Sequence, residues 1–299
     1  MRKTAWLVIV FIASLKPAMS GDTLQIQAIK ADWDTMLSAP DDAIRIMKSE
    51  AVARRMAELL TNGICLKQIM KPNAKYSHLA SKDSAIEVIT WSVPLLSQGF
   101  TYGGVILHRK NESPKCFILQ NAKEALSLAE LKQYSPQQWF GAVYYQMIEF
   151  RHKKQTYYIL LGWDGGNFPI ARKMIEVLTI NSAGEPVFGA PIFAANKIQR
   201  KIFEYQQDAY FPLKYERQTY YRKIWYRRKP SPRKENMIVF NRLERERGFA
   251  APIPILNIID GYRWKDGKLV LMKDLDARNP EKKTDITPKP PERGLFPQD

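Results

Sequence analysis

The chain has 299 residues, with 46 Lys+Arg against 30 Asp+Glu, 45% hydrophobic residues, 11% aromatics and only two cysteines and three histidines. That apolar content excludes a wholly disordered chain, and the length leaves room for one large domain or two ordinary ones. The cysteine and histidine counts exclude a disulfide-dense mini-domain and a four-cysteine zinc site, and they argue against a His-rich metal centre, so neither metal nor cofactor is expected.

Residues 1–20 read as a secretory signal peptide. Arg2 and Lys3 precede an apolar run from Thr4 to Leu15, Lys16 and Pro17 break it, and Ala18 and Ser20 place small residues before Gly21. Twelve helical residues span roughly 18 Å, short of a hydrocarbon core of about 30 Å, so no transmembrane span is expected after cleavage. An uncleaved signal acting as a membrane anchor is the alternative. Removal of 1–20 takes away Arg2, Lys3 and Lys16 and lowers the formal charge from +16 to +13. Such a balance favours anionic partners, and export argues against chromosomal DNA among them.

Residues 21–65 read as an N-terminal helical segment interrupted at Pro40. Asp41 and Asp42 open its second helix, Ile44, Met47, Val52, Met56, Leu59 and Leu60 fall near one face, and Asn62-Gly63 is the stop. The face carrying Glu50, Arg54, Arg55 and Glu58 reads as solvated. From about residue 84 the period switches to two. Strands are expected at 85–93, 100–108, 116–120, 139–150, 155–163, 174–180, 187–193, 201–205, 211–216, 237–241, 261–265 and 268–273, with one helical patch at 122–133. Arg151-His152-Lys153-Lys154, Asp164-Gly165-Gly166-Asn167 and Asp266-Gly267 read as turns. Gly103-Gly104 inside a strand reads as a bulge. Strands joined by turns rather than crossover helices give a mainly β (α+β) class. The expected architecture is an antiparallel meander over 66–276, curled into a sandwich, a barrel or an incomplete propeller. The tail 277–299 holds five prolines and many charges and reads as disordered.

Four stretches together resemble a family of exported, uncharacterised proteins of Bacteroidota, over roughly residues 60–280. They are Ile89-Thr90-Trp91, the hairpin from Ala142 to Trp163 running on through Asn167, Pro186 to Phe193, and Asp274 to Asn279. The resemblance implies a Gram-negative periplasmic setting and carries no assigned activity, hence no catalytic residues.

No HExxH, GxSxG or phosphate-cradling loop is present. Asp164 and Asn167 could ligate a cation, and Trp163 could stack on a sugar, but turn chemistry accounts for the same residues. Asp274, Asp276 and Asn279 offer oxygens at short spacing, with a solvated strand end as the simpler reading. His78, His108 and His152 are scattered among expected loops and strand ends. Cys65 and Cys116 could form a disulfide closing about fifty residues, a constraint of roughly 4 kcal/mol in the chain-entropy treatment, or could remain two buried thiols.

The most unusual stretch is the insertion at 214–235. Residues 214–234 hold nine basic residues against Glu216 alone, interleaved with Tyr215, Tyr220, Tyr221, Trp225 and Tyr226. Arg217, Arg222, Lys223, Trp225, Tyr226, Arg227, Arg228 and Lys229 are the candidate anion-binding residues, because guanidinium forks grip phosphate and carboxylate while aromatic faces stack. The bland reading is a protruding hairpin whose aromatics pack on the body while its charges stay wet. The leading functional expectation is a non-enzymatic periplasmic binding or structural module. It would meet an anionic envelope component: lipopolysaccharide, peptidoglycan or an acidic protein. The alternative is a hydrolase of envelope polymers using Asp164, Asp274 or Asp276 as acid/base groups, which requires two carboxylates in one cleft.

Overall fold

The computed structural model describes residues 21–109, 113–122, 126–194, 197–222 and 231–275. The expected signal peptide (1–20), the tail (277–299), Asp276 and the ribbon residues Lys223, Trp225, Tyr226, Arg227, Arg228 and Lys229 lie outside them.

The helical segment forms as its punctuation dictates. Helix α1 (Gly21–Ser38) stops before Pro40, and α2 (Asp42–Thr61) starts where the Asp41 carboxylate accepts from the Ile44 N–H at 3.1 Å. Asn62 caps α2, and Gly63 follows with φ of 85°. Asp42 has a use the sequence did not suggest. Its carboxylate accepts from the N–H groups of Leu96 and Ser97, tying α2 to a distant hairpin, and the Ser97 and Leu96 hydrogen bonds hold its pKa below the usual range. The face read as solvated is partly committed too, because Arg55 pairs with the buried Asp32 of α1. A one-turn helix α3 (Leu66–Ile69) leads into the sheets.

Three antiparallel sheets follow in chain order. The first is β1 (Ser77–Ala80), β2 (Ile86–Pro94), β3 (Phe100–His108) and β4 (Lys115–Leu119). After the short helix α4 (Leu126–Ala129), the second holds β5 (Val143–His152), β6 (Gln155–Asn167), β7 (Ile170–Ile180), β8 (Pro186–Phe188) and β9 (Lys201–Gln206). There β8 and β9 pair with successive parts of β7. The third is β10 (Leu213–Arg222), β11 (Ser231–Glu244), β12 (Ile253–Lys265) and β13 (Lys268–Leu275). Asp266 and Gly267 both have positive φ and make the two-residue turn between the last two strands.

Strand alternation stacks these sheets into layers. On β2, Ile89, Trp91 and Val93 face α1 and α2, while Ile86 and Val88 face the second sheet. On β7, Met174 and Leu178 face the first sheet, while Ala171, Ile175 and Val177 face the third. The order is therefore helices, first sheet, second sheet, third sheet, with a packed core at each of the three junctions. Of the alternatives left open by the sequence, this sandwich-like layering is the one observed. The third sheet rolls enough to bury its own small cluster of Tyr220, Met237, Val239 and Leu275, but no ladder joins β10 to β13 among the described residues.

Several sequence expectations need correction. Gly103-Gly104 is not a bulge: the β2–β3 register is continuous, and a Cβ on Gly103 would collide with the Trp91 indole and Ser49 Oγ. Gly103 is bare so that Trp91 Nε1 can donate to Ser49 Oγ on α2 at 2.9 Å. Asp164-Gly165-Gly166-Asn167 is not a turn: it is the bulged end of β6, and the chain reverses at Phe168-Pro169. The basic turn Arg151-His152-Lys153-Lys154 tightens to Lys153-Lys154, with φ of 53° at Lys153. Strand 187–193 shrinks to β8, because the chain leaves the ladder at Gly189 with φ of 98°.

Glu176 of β7 and Arg200 are both fully buried and lie 2.7 Å apart. The guanidinium also donates to the backbone oxygens of Ala129, Lys132 and Phe188 and lies over the Tyr134 ring at 4.4 Å. Burial pushes the Glu176 carboxyl up, and the guanidinium opposes this. Removing one partner leaves an uncompensated buried charge. Glu176→Ala is therefore expected to cost about 3–5 kcal/mol in urea unfolding, several times more than an exposed control such as Glu185→Ala.

Candidate functional site

The ribbon is the site that the sequence marks most strongly. The β10–β11 ladder runs from Leu213↔Phe240 to Arg222↔Ser231, whereas β12 joins β11 only from Ile238 onward. The stretch 216–222 with 231–237 is thus a two-stranded arm beyond the third sheet. A lone hairpin is marginal in water, so it needs anchoring. The Tyr220 hydroxyl donates to Glu235 at 2.8 Å and accepts from Arg263 at 2.7 Å, and the Arg263 guanidinium lies over the Tyr220 ring at 5.0 Å. On the body side, the Tyr215 N–H donates to Gln146 Oε1 at 3.1 Å, and the Tyr145 hydroxyl donates to the Leu213 oxygen at 2.8 Å.

Two of the interleaved aromatics are spent on packing. Tyr215 meets Phe150 edge-on at 6.1 Å, and Tyr220 belongs to the rolled sheet's core, so neither offers a free stacking face. The cations are placed differently. Arg217, Arg233 and Lys234 are exposed, and none has an acidic partner among the described residues. Arg233 and Lys234 were not among the sequence candidates. Their signal was the register of the ladder, which sets Lys234 opposite Thr219 and Arg233 opposite Tyr220. Of the sequence candidates, Arg217 lies on the exposed arm, and Arg222 is the last ladder residue of β10.

Of the carboxylates proposed as acid/base groups, Asp164 and Asp274 sit on different sheets, and Asp276 lies outside the described residues. Asp164 is buried and saturated: it accepts from the Tyr102 hydroxyl at 2.7 Å, from the Gly166 N–H at 2.8 Å and from Arg172 at 3.0 Å. Burial and then the neighbouring Asp164 charge push the Tyr102 phenol far up, so it stays a donor. Asp274 is exposed on the third sheet and shares Arg242 with Asp260, at 2.8 and 2.7 Å. Asp164 and Asp274 thus pair with different arginines on different sheets: Arg172, which Glu204 shares, and Arg242, which Asp260 shares. Asn167 ends β6, and Trp163 packs edge-on against Phe100 at 5.4 Å. The histidines are as scattered as expected: His78 pairs with Glu87 at 2.7 Å, His108 Nδ1 meets the Gly184 oxygen at 2.9 Å, and His152 lies against Gly267. Among the described residues no group of three His, Cys, Asp or Glu could hold a metal ion. Nor is any helix among them long and apolar enough to cross a membrane.

Of the two readings of Cys65 and Cys116, the disulfide is not formed, and only Cys116 is a sheltered thiol. Cys65 is exposed at the start of α3, whereas Cys116 is half-buried on β4 against the helical core, and both thiols are free. Burial pushes the Cys116 thiol up to about 12. The thiolate is the reactive form, so the native protein should release one equivalent from a chromogenic disulfide reagent promptly, from Cys65. The second should appear only on unfolding. Cys65→Ser is expected to abolish the fast phase alone, and two equally fast thiols would contradict the assignment. Comparisons with protein-family models, curated proteins and solved structures returned no match.

Proposed function

We propose that this is an exported protein of the periplasm that docks, without bond-making chemistry, on the phosphate-bearing surface of lipopolysaccharide through the β10–β11 arm. The observation that carries the reading is the exposed placement of Arg217, Arg233 and Lys234 on an arm that leaves the sheet and leads into the most basic run of the chain. Such a run repels itself, and an anionic surface relieves that repulsion. Arginine predominates within it, and its planar fork matches phosphate oxygens two at a time. The apolar run of residues 1–20 supports export, and the separation of Asp164 from Asp274 favours docking over hydrolysis.

The test compares Arg217→Ser/Arg233→Ser/Lys234→Ser with a control of equal net charge, Lys67→Ser/Arg245→Ser/Arg247→Ser, whose positions are also exposed. A basic residue near an anionic surface contributes about 1 kcal/mol, so the arm variant should bind lipopolysaccharide-containing vesicles roughly a hundredfold more weakly at low salt. The deficit should shrink towards physiological salt, where screening acts over about 8 Å. Both variants should melt near the wild type, because exposed substitutions cost within about 0.5 kcal/mol each. Equal losses in the two variants would reduce the arm to a share of a diffuse positive field. Retention on peptidoglycan sacculi in place of the vesicles would reassign the anion to carboxylate.

A further inference from the structure

A second surface feature lies away from the arm, on the helical side of the first sheet. Strand β4 has five residues, and its ladder with β3 ends at Gly104↔Leu119, although β3 and β2 stay paired to Phe100. The segment Thr101–Gly103 therefore lacks a neighbouring strand where β4 has ended. Helix α2 crosses over this gap with Ile46, Ser49, Glu50, Ala53 and Arg54, a helical i, i+3, i+4, i+7, i+8 face. The space over Gly103 itself is taken by the Trp91 indole and Ser49 Oγ, so the opening lies beside them, where β4 has ended. The result is a half-open cleft of about 450 Å³, within the range of small-molecule sites.

The lining has a definite chemistry. Asn121 Oδ1 is buried and has no hydrogen-bond partner, a deficit that a ligand donor would relieve. Gln120 and Gln137 bring exposed amides to the mouth, and each amide offers a donor and an acceptor side by side. Ser49 Oγ accepts from Trp91 and keeps its own O–H to donate. At the rim Glu50 and Arg54 lie 3.7 Å apart and neutralise one another, so the cleft presents no net charge. Ile118 of β4, packed against the helical core, and the exposed Ile46 of α2 give it an apolar side.

We infer that this cleft binds an uncharged sugar unit, one hexose ring with its vicinal hydroxyls against the amides and a C–H face against Ile46 and Ile118. A purely apolar ligand would leave Asn121 Oδ1 unpaired, and a site with an unmet buried acceptor rejects the analogue that lacks the donor. An anion would find Glu50 at the mouth as well as Arg54. A polyol ring meets both demands, with hydroxyls around its edge and hydrocarbon on its faces. The site is separate from the β10–β11 arm and does not depend on it.

Saturation-transfer NMR on the folded protein tests this, with methyl β-glucoside and methyl β-N-acetylglucosaminide as probes and glucuronate and cyclohexanol as controls. Saturation is expected to reach at least one neutral glycoside and neither control. Asn121→Ala should raise its Kd about tenfold, the worth of one hydrogen bond. If Asn121→Ala does not fold, Gln137→Ala, at an exposed position, carries the comparison with a smaller rise in Kd. The triple arm variant should bind the glycoside as the wild type does, which separates this site from the docking surface. Silence from every neutral hexoside, equal saturation of cyclohexanol, or an unchanged Kd in the folded cleft variants would each overturn the assignment.

Discussion

The ion pair between Glu176 and Arg200 is the constraint around which the middle of the molecule is arranged. Neither side chain touches solvent, and the core they adjoin is mostly aliphatic and aromatic. Burying two charges is costly, and the attraction between them offsets that cost only if the remaining donors are also used. They are: the guanidinium reaches Glu176, the Ala129 carbonyl at the end of α4, the Lys132 carbonyl just after it and the Phe188 carbonyl. One side chain thereby positions the central strand β7, the connection that crosses between sheets, and the end of β8. A hydrophobic pair could fill the same volume, but it would not select which carbonyls face it.

The same use of arginine recurs at lower burial. Asp164 with Arg172, Asp260 with Arg242 and Asp32 with Arg55 each bind one element to another. Many of the chain's carboxylates are thus spent inside or between layers. Each pair withdraws one acid and one base together, so the surplus of 46 Lys+Arg over 30 Asp+Glu is left for other elements to carry. The arm holds an exposed share of it in Arg217, Arg233 and Lys234.

The two binding surfaces have different physical characters. The arm is exposed on its cationic side and held along its length by Tyr220 against Glu235 and Arg263, and it suits an extended anionic surface. The cleft between α2 and β3 is concave, neutral and built on rigid elements, and it suits a small ring. Both arise where a sheet is left incomplete: β10 and β11 outrun β12, and β4 stops short of β3.

Much of this was legible in the sequence. Pro40, the Asp41 cap and Asn62-Gly63 bounded α2, the Asp266-Gly267 turn joined β12 to β13, and period-two runs established an antiparallel β protein. Those signals act between residues close in the chain, where backbone sterics and side-chain period suffice. What only the tertiary structure decided depends on partners far apart in the chain. Asp164 is a buried acceptor rather than a turn residue because Tyr102, 62 residues away, donates to it. Gly103 is bare because Trp91 must reach Ser49, 42 residues earlier. The cleft exists because one strand is shorter than its neighbour beneath a particular helix face. No local pattern encodes such coincidences, since each is set by which layers stack and in what register.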